Sequence, residues 1–457
     1  MPKILRLHLI CLYRLTTITA AIFCQTVQAA EYIRNESPQP ATAKDLTVSI
    51  DHAFTERPLS ERFLLSNVKD YLADQPGFWS EAKVNFELRS YLFRRRNSSI
   101  YKPEAYVIGG RSSFESGWWH NFGVGLAYYN STELNADDPG TGLLGPDQHD
   151  INVWGEANLR YRFTGTPLEG SVLKLGRQTL NLPFINKHDI RQVPASHEAY
   201  TLSRVDTGNL RYIVGHITEF KDYDNDKFVD MADAAGATGE DEGVSIVGAR
   251  RKFTNGTTIG AATYYGWDTF NTFFTEGTYH ADLSEKIDMR LSVQFTDQRS
   301  VGDELIGDFD SHQVAGKASF GWRGAMITFG GSVVDDNAGI MKPWGGSPSY
   351  LSIQRLDFDR AGEKSALLGF SYNTAYFSSL GLSSYVNIAH GWDAEDPLTG
   401  VSLPDRTEYD LTVDYKPPQG FLEGLWIRAR FNYIDTDGDS DEVHDFRLII
   451  NYTLPFI

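Results

Sequence analysis

From Ala82 onward the chain alternates apolar and polar positions in runs of about ten residues. Val84, Phe86, Leu88 and Leu92 interleave with Lys83, Asn85, Glu87, Arg89 and Tyr91. Across 151–163 the odd positions Val153, Ala157, Leu159, Tyr161 and Phe163 are apolar. The even positions Asn152, Glu156, Asn158, Arg160 and Arg162 are polar. At 288–298 Met289, Leu291, Val293 and Phe295 oppose Arg290, Ser292 and Gln294. At 408–415 Tyr409, Leu411, Val413 and Tyr415 oppose Glu408, Asp410, Thr412 and Asp414. Near the end, Ile427, Ala429, Phe431 and Tyr433 alternate with Arg428, Arg430 and Asn432. After the polar turn 435–439, Leu448, Ile450, Tyr452, Leu454 and Phe456 share one face, and Arg447, Asn451 and Thr453 the other. A strand's side chains point to opposite faces with period two, so each run predicts a strand with one greasy and one polar face. A soluble sandwich buries the greasy face; a membrane barrel turns it to lipid and the polar face to a wet lumen.

The connections separate these two folds. Tight turns are expected at Ser116-Gly117, Asp206-Thr207-Gly208, Thr254-Asn255-Gly256 and Arg323-Gly324. Long polar loops fall between them, near 130–150, 179–197, 221–242 and 335–364. Outer-membrane barrels show this alternation, with short periplasmic turns and long outer loops, whereas a Greek-key sandwich gives no reason for it. The expected fold is therefore all-β, a transmembrane antiparallel barrel of about 18 strands, with 16 as the alternative, over 77–457.

Composition agrees. No stretch supplies the run of about 18 apolar residues a membrane helix needs. Tyr (23), Phe (27) and Gly (41) are abundant, as strands with aromatic ends and tight turns require. Residues 1–29 read as a secretory leader: Lys3, Arg6 and Arg14, then the apolar 15–23, then the small-x-small site Val27-Gln28-Ala29. Both cysteines, Cys11 and Cys24, lie within it, so the mature chain from Ala30 has none to mispair in an oxidising compartment. Losing the leader makes the net charge of −18 three units more negative, which argues against nucleic acid as a partner. Residues 30–76 lack the alternation. They read as an N-terminal periplasmic extension or plug segment, beginning as a linker and carrying either disorder or a short helix capped by Ser60 with Leu64, Val68 and Leu72 on one face. Trp118, Trp119, Tyr128, Tyr129, Trp267, Trp322, Tyr433 and Tyr452 fall near expected strand ends, where interfacial girdles form.

Three ordered blocks carry a family likeness. The first is Gly176-Arg177-Gln178 with 182–186 (LPFIN), 189–194 (DIRQVP) and 198–202 (EAYTL). The second is 358–363 (FDRAGE) before the strand 367–372. The third is 411–415 with 424–430, 445–447 and Asn451-Tyr452. From Ala82 to Ile457 the chain resembles the OprD-type substrate-selective outer-membrane porins. That resemblance implies a bacterial outer-membrane location, contact with outer-membrane lipid and lipopolysaccharide, insertion by the barrel-assembly machinery, and a monomer or loose trimer. It implies that 179–197 folds inward to narrow the pore, and that small solutes, carboxylate-bearing organic acids or amino acids, pass along a basic ladder. By position Arg428, Arg430 and Arg447 match the ladder, with Arg191 and Arg204 from the inward loop and the strand after it. The chain departs from the family in its 30–76 segment and in ending on Ile457 with the aromatic Phe456 penultimate.

The residues support a ladder on their own terms. Arg160 and Arg162 share one strand face and Arg428 and Arg430 another, spaced at about 6.6–7 Å, so a carboxylate could pass between fixed guanidinium forks. Arg177 is a further candidate, with Arg89 and Arg111 behind it. The alternative is that these arginines balance luminal acids such as Glu156, Glu408 and Asp410. Acceptors or acids are expected to oppose the ladder from 179–197 and then from 335–364. The runs Asp222, Asp224, Asp226 and Asp435, Asp437, Asp439, Asp441 have calcium-like spacing without the closing glutamate, and exposed acidic turns are expected. No nucleophile-elbow, zinc-protease or phosphate-loop motif occurs, so no enzyme and no cofactor is expected. Rival functions are a general-diffusion porin, or a non-channel adhesin or hydrolase.

Overall fold

Each alternating run becomes a strand that pairs with the next one along the chain. The computed structural model describes residues 65–98, 101–204, 209–378, 380–417, 422–439 and 443–455. The expected leader, most of 30–76, the turn 206–208 and the terminal Phe456-Ile457 lie outside them. The strands are Lys83–Arg96 (β1), Glu104–Glu115 (β2), Phe122–Ala136 (β3), Ile151–Arg162 (β4), Val172–Gln178 (β5) and Ser196–Arg204 (β6). Leu210–Lys221 (β7), Val229–Asp230 (β8), Val244–Lys252 (β9), Thr257–Gly266 (β10), Phe270–Ser284 (β11) and Ile287–Ser300 (β12) follow. Asp310–Trp322 (β13), Ala325–Val334 (β14), Lys364–Asn373 (β15), Leu382–Trp392 (β16), Arg406–Tyr415 (β17), Leu425–Thr436 (β18) and Val443–Pro455 (β19) complete the set.

The two-residue β8 pairs only with β7 and stands outside the wall. β7 bonds directly to β9, and β19 returns to β1, so the other 18 strands close an antiparallel barrel with no free edge. The alternation fixes its orientation. Val293, Val314, Phe329, Leu368, Phe370, Leu411, Phe431 and Ile450 face outward and exposed, while Gln294, Ser319, Asp410, Asn432, Asp445 and Asn451 face inward and buried. So many contiguous exposed aliphatic and aromatic side chains suit a lipid environment and no aqueous one. No helix among the described residues is long and apolar enough to cross a membrane.

One end of the wall carries short turns such as 285–286 and 323–324; the other carries 179–195, 222–243 and 335–363. The expected alternation holds, with exceptions: 267–269 is short at the long-loop end, and 374–381 is long at the turn end, where Thr374–Tyr376 forms a 3-10 turn. The loop expected from 130 begins later, because β3 runs to Ala136. Near the N-terminus a helix spans Ser66–Ala73 and carries Val68 and Leu72; Ser60 and Leu64 lie outside the described residues. The turn Gly77–Ser80 docks on the β2–β3 connection, where Gly117 N donates to Phe78 O at 2.8 Å. A Cβ at Gly117 would sit 1.9 Å from Gly77 O, so only glycine permits this approach.

Three face assignments change. The β3–β4 register shifts where Tyr128 pairs with Trp154 and Ala127 with Glu156, leaving Gly155 as an extra residue. Below this bulge Glu156, Asn158 and Arg160 face inward as expected, but above it Val153 turns inward and Trp154 outward. Tyr129 is not a girdle residue: it is fully buried inside, donating to Glu156 Oε1 at 2.8 Å. Trp118 is not one either, since its ring lies 5.0 Å from the Arg160 guanidinium and 4.9 Å from that of Arg162. Trp119, Trp267 and Trp322 are exposed at strand ends.

Candidate functional site

The lumen is narrowed by 179–195 and 335–363, which fold inward and interlock. Asn186 Nδ2 donates to Gly346 O at 2.9 Å, and Gly346 N returns a bond to Asn186 Oδ1 at 3.0 Å. Around this pair Leu180, Phe184, Ile185, Ile340 and Trp344 form one buried cluster with Phe270 and Phe274 of the wall. Trp344 stacks on Phe270 at 4.8 Å and donates to Met231 O at 2.8 Å. The polar inward face of β12 receives the second loop: Gln294 donates to Pro348 O at 2.8 Å and Gln298 to Met341 O at 2.7 Å. Tyr350 donates to Glu276 at 2.6 Å.

Register then assembles the charged wall. Inward residues of β17, β18, β19 and β1 align in rows, the first being Asp410, Asn432, Asp445 and Arg95. The next row is Thr412, Arg430, Arg447 and Phe93, and the third Asp414, Arg428, Ile449 and Tyr91. Arg428, Arg430 and Arg447 are thus brought onto one patch. Their surroundings differ sharply. Arg428 grips Asp414 with two bonds, at 2.7 and 2.9 Å, and its charge is matched. Arg447 is 1% exposed, donates to Asp445 at 2.8 Å and to Gln354 O at 3.4 Å, and keeps Nε and Nη1 without an acceptor. Arg430 likewise has a buried Nε with no partner.

The loops, expected to oppose the patch with acceptors or acids, supply the acceptor Gln354 O and add two further cations. Arg191 reaches in from 179–195, its Nε donating to Thr141 O at 2.8 Å, and Arg355 comes from 335–363 to meet Asp445 at 3.3 Å. Arg95, Arg191 and Arg447 hold their guanidiniums 4.9, 5.1 and 4.6 Å from the Phe93 ring. Three arginines, Arg95, Arg355 and Arg447, thereby gather about one carboxylate, Asp445, which takes two bonds from Arg95 at 3.0 and 3.2 Å. Burial, and next the Arg447 charge, pulls Arg191 down to about 10. Burial also lowers Arg355, with Arg95 and Arg447 pushing the same way against Asp445. Glu408 and Asp410 lie beside this cluster but are spent on the loop. Glu408 accepts from Arg355 N at 2.9 Å and Leu356 N at 2.6 Å; Asp410 accepts from Gln354 N at 3.1 Å; Asn432 Nδ2 donates to both.

The remaining expected residues lie elsewhere. Arg160 pairs with Glu115 and donates to Ser116 O at 2.7 Å, near the short-turn end with Arg162. Arg177 sits 3.3 Å from Glu198 beneath the Phe228 ring, at the opposite end. Arg204 does not line the lumen: on β6, whose alternation is unbroken, it shares the outward face with exposed Tyr200, opposite Tyr212. Arg89 emerges as the pin of the first loop, bonding Asp189 and Arg191 O at 2.6 Å and Asn451 at 2.7 Å. Arg111 pairs with Glu156 at 2.8 Å. Beside the acidic turn 222–226, Lys221 Nζ donates to Pro194 O at 2.9 Å and to Asp222 O at 2.8 Å. Sequence reasoning missed Arg95 and Arg355. Arg95 was within reach, because it lies two residues beyond Phe93 on the face that Arg89 begins.

A closed barrel with an apolar outer band, a polar lumen and two inward loops is a passive diffusion channel of the outer membrane. Residues 76–456 match the profile of the outer membrane porin, OprD family, and the chain belongs to that family. It is 23% identical over 428 residues to Porin D of Pseudomonas aeruginosa, covering 84% of this chain and 93% of that one. The solved structures of OccK9 (OpdG) and of OpdK with vanillate, both from Pseudomonas aeruginosa, superpose with TM-scores of 0.75 at 22% and 20% identity. Each comparison covers 83% of this chain and 100% of the other. A BenF-like porin from Pseudomonas fluorescens Pf-5 also reaches 0.75, at 20% identity, with the same coverage. These relatives are porins and not enzymes, and the chain is an outer-membrane porin that passes small solutes.

Proposed function

We propose that this porin is partly selective for small water-soluble solutes bearing a carboxylate, organic acids or amino acids, drawn to the cation excess around Phe93 and Asp445. The observation that carries the reading is the set of buried guanidinium donors without an acceptor, Nε and Nη1 of Arg447 and Nε of Arg430. Buried donors are normally paired, and a carboxylate matches an arginine fork in shape and charge. Conduction requires binding strong enough to recruit a solute and weak enough to release it. Arg428, already held by Asp414, helps shape the path and takes little part in capture. OpdK was solved with vanillate, a carboxylate, which supports the assignment by kinship. We also propose that the leader is cleaved after Ala29, that 30–76 remains periplasmic, and that one barrel suffices for transport.

Purified protein in planar bilayers tests the reading. Millimolar organic acids should block the ion current, and Arg430→Met with Arg447→Met should weaken both block and anion preference. If no acid blocks and the double variant keeps wild-type anion preference, the channel is a general-diffusion porin.

A further inference from the structure

Beneath the second inward loop, on its short-turn side, lies a recess of about 230 Å³ between 347–353 and the wall. Most of its wall residues, Ser319, Met326, Thr328, Ser371 and Tyr385 among them, sit in the strand halves nearer the short turns, with Leu367 and Asp410 at the loop side of mid-wall, so a solute meets it after passing the loops. At roughly 30 Å³ per water it has the space of seven or eight waters, enough for an organic acid of five or six carbons.

The lining is specific. Arg430 and Lys317 supply cations, and Ser371, Tyr385 and Asn387 supply hydroxyl and amide groups. Two polar atoms here are buried without a partner, Arg430 Nε and Ser371 Oγ. Lys317 lies 4.3 Å over the Tyr350 ring. The carboxylate at the recess, Asp410, already accepts from Gln354 N at 3.1 Å and from Asn432 at 3.3 Å. Gly369 makes the space: a Cβ there would lie 2.8 Å from Asn387 Oδ1, so any side chain would displace that amide. A cation beside orphaned and mixed donor–acceptor groups matches a ligand that carries both an anion and several hydroxyls.

We propose that this recess is a second, exit-side binding site for polyhydroxylated carboxylates of the sugar-acid type. The carboxylate meets Arg430, and ligand hydroxyls meet Ser371 and Asn387. The assignment rests on the carboxylate reading above and narrows it to a solute class. An unhydroxylated acid of the same charge leaves Ser371 and Asn387 unpaired, and a site built to bond hydroxyls disfavours ligands that lack them.

The test compares gluconate with hexanoate, added from the periplasmic side of bilayers holding the full-length protein. Gluconate should block at about tenfold lower concentration, the effect of one or two hydrogen bonds. Ser371→Ala, which removes a single hydroxyl from a strand that keeps its pairing, should shrink that ratio several-fold. Asn387→Ser should act in the same direction. Equal block by both acids in the wild type, or a ratio untouched by both substitutions, overturns this site and leaves carboxylate selectivity standing. No block by either acid overturns both.

Discussion

Glu408→Ala should free the tip of the second inward loop while leaving the barrel intact. The fully buried Glu408 carboxylate accepts from Arg355 N, Leu356 N and Asn432 Nδ2. A buried donor left unmet costs about 1–3 kcal/mol. Asn432 Nδ2 belongs to the wall and keeps Asp410; water entering the vacated space favours the low end, so the two loop donors together destabilise the docked tip by about 2 kcal/mol. At 1.4 kcal/mol per tenfold, the undocked population rises roughly thirtyfold. The rest of the loop keeps its ties through Asn186–Gly346, Tyr350–Glu276 and Gln294–Pro348, so motion is confined to about 353–357. The wall is unaffected, because the backbone of position 408 still pairs with Ala389 and Ile434. Single-channel recording should therefore show a larger mean conductance with flicker, and heat-modified gel migration should match wild type. Glu408→Gln, which keeps one acceptor oxygen, should lie between. A quiet channel of wild-type conductance in Glu408→Ala would refute the idea that this carboxylate holds the loop.

Three other outcomes follow from the same structure. His188 sits at the loop junction against Gly346, and burial, then Arg191, depresses it to about 4 from an ordinary value near 6.5. Its folded form binds fewer protons, so the stability it contributes is complete above about 6.5 and is lost as pH falls toward 4. Conductance noise should rise over that window and His188→Gln should flatten the response; a wild-type channel equally quiet at pH 7 and 4.5 would contradict this. Gly110→Val should prevent closure, since φ is +143° there and a Cβ would lie 1.8 Å from Glu87 O; normal heat-modifiable migration of the variant would count against it. Val293→Arg, on the lipid face, should lower folding stability in vesicles by about 2–4 kcal/mol, as measured by denaturant titration.

The barrel was legible because its signal is redundant. Period two at 288–298 placed Val293 outward and Gln294 inward, and the loop limits 179–197 and 335–364 lie within two residues of the observed 179–195 and 335–363. Faces failed where a bulge inserts a residue. Val153 and Trp154 are adjacent apolar side chains that each suit either face, and only pairing with Tyr128 and Tyr129 reveals Gly155 as the slip. Arg204 failed for another reason: it was placed by its match to the family, whereas the unbroken alternation of β6 puts it on the face of exposed Tyr200. Arg355 left no periodic trace, since a loop has none.

Charge pairing explains why the site was harder to read than the fold. Arg428, Arg430 and Arg447 are equivalent as sequence, each a cation on an inward strand position. In the barrel Arg428 faces Asp414 across β17 at matched register, whereas Arg430 faces the neutral Thr412 and the cation Arg447. Like charges set directly opposite are unfavourable unless something neutral or negative intervenes. The wall supplies one carboxylate, Asp445, shared by Arg447 and Arg95, and the loops then add Arg191 and Arg355 to the same neighbourhood. A fold selected only for stability would gain by replacing one of these arginines with an apolar residue, as buried ion clusters commonly allow. Retaining all of them leaves buried guanidinium donors without acceptors, and the proposed carboxylate selectivity is the role that would account for keeping them.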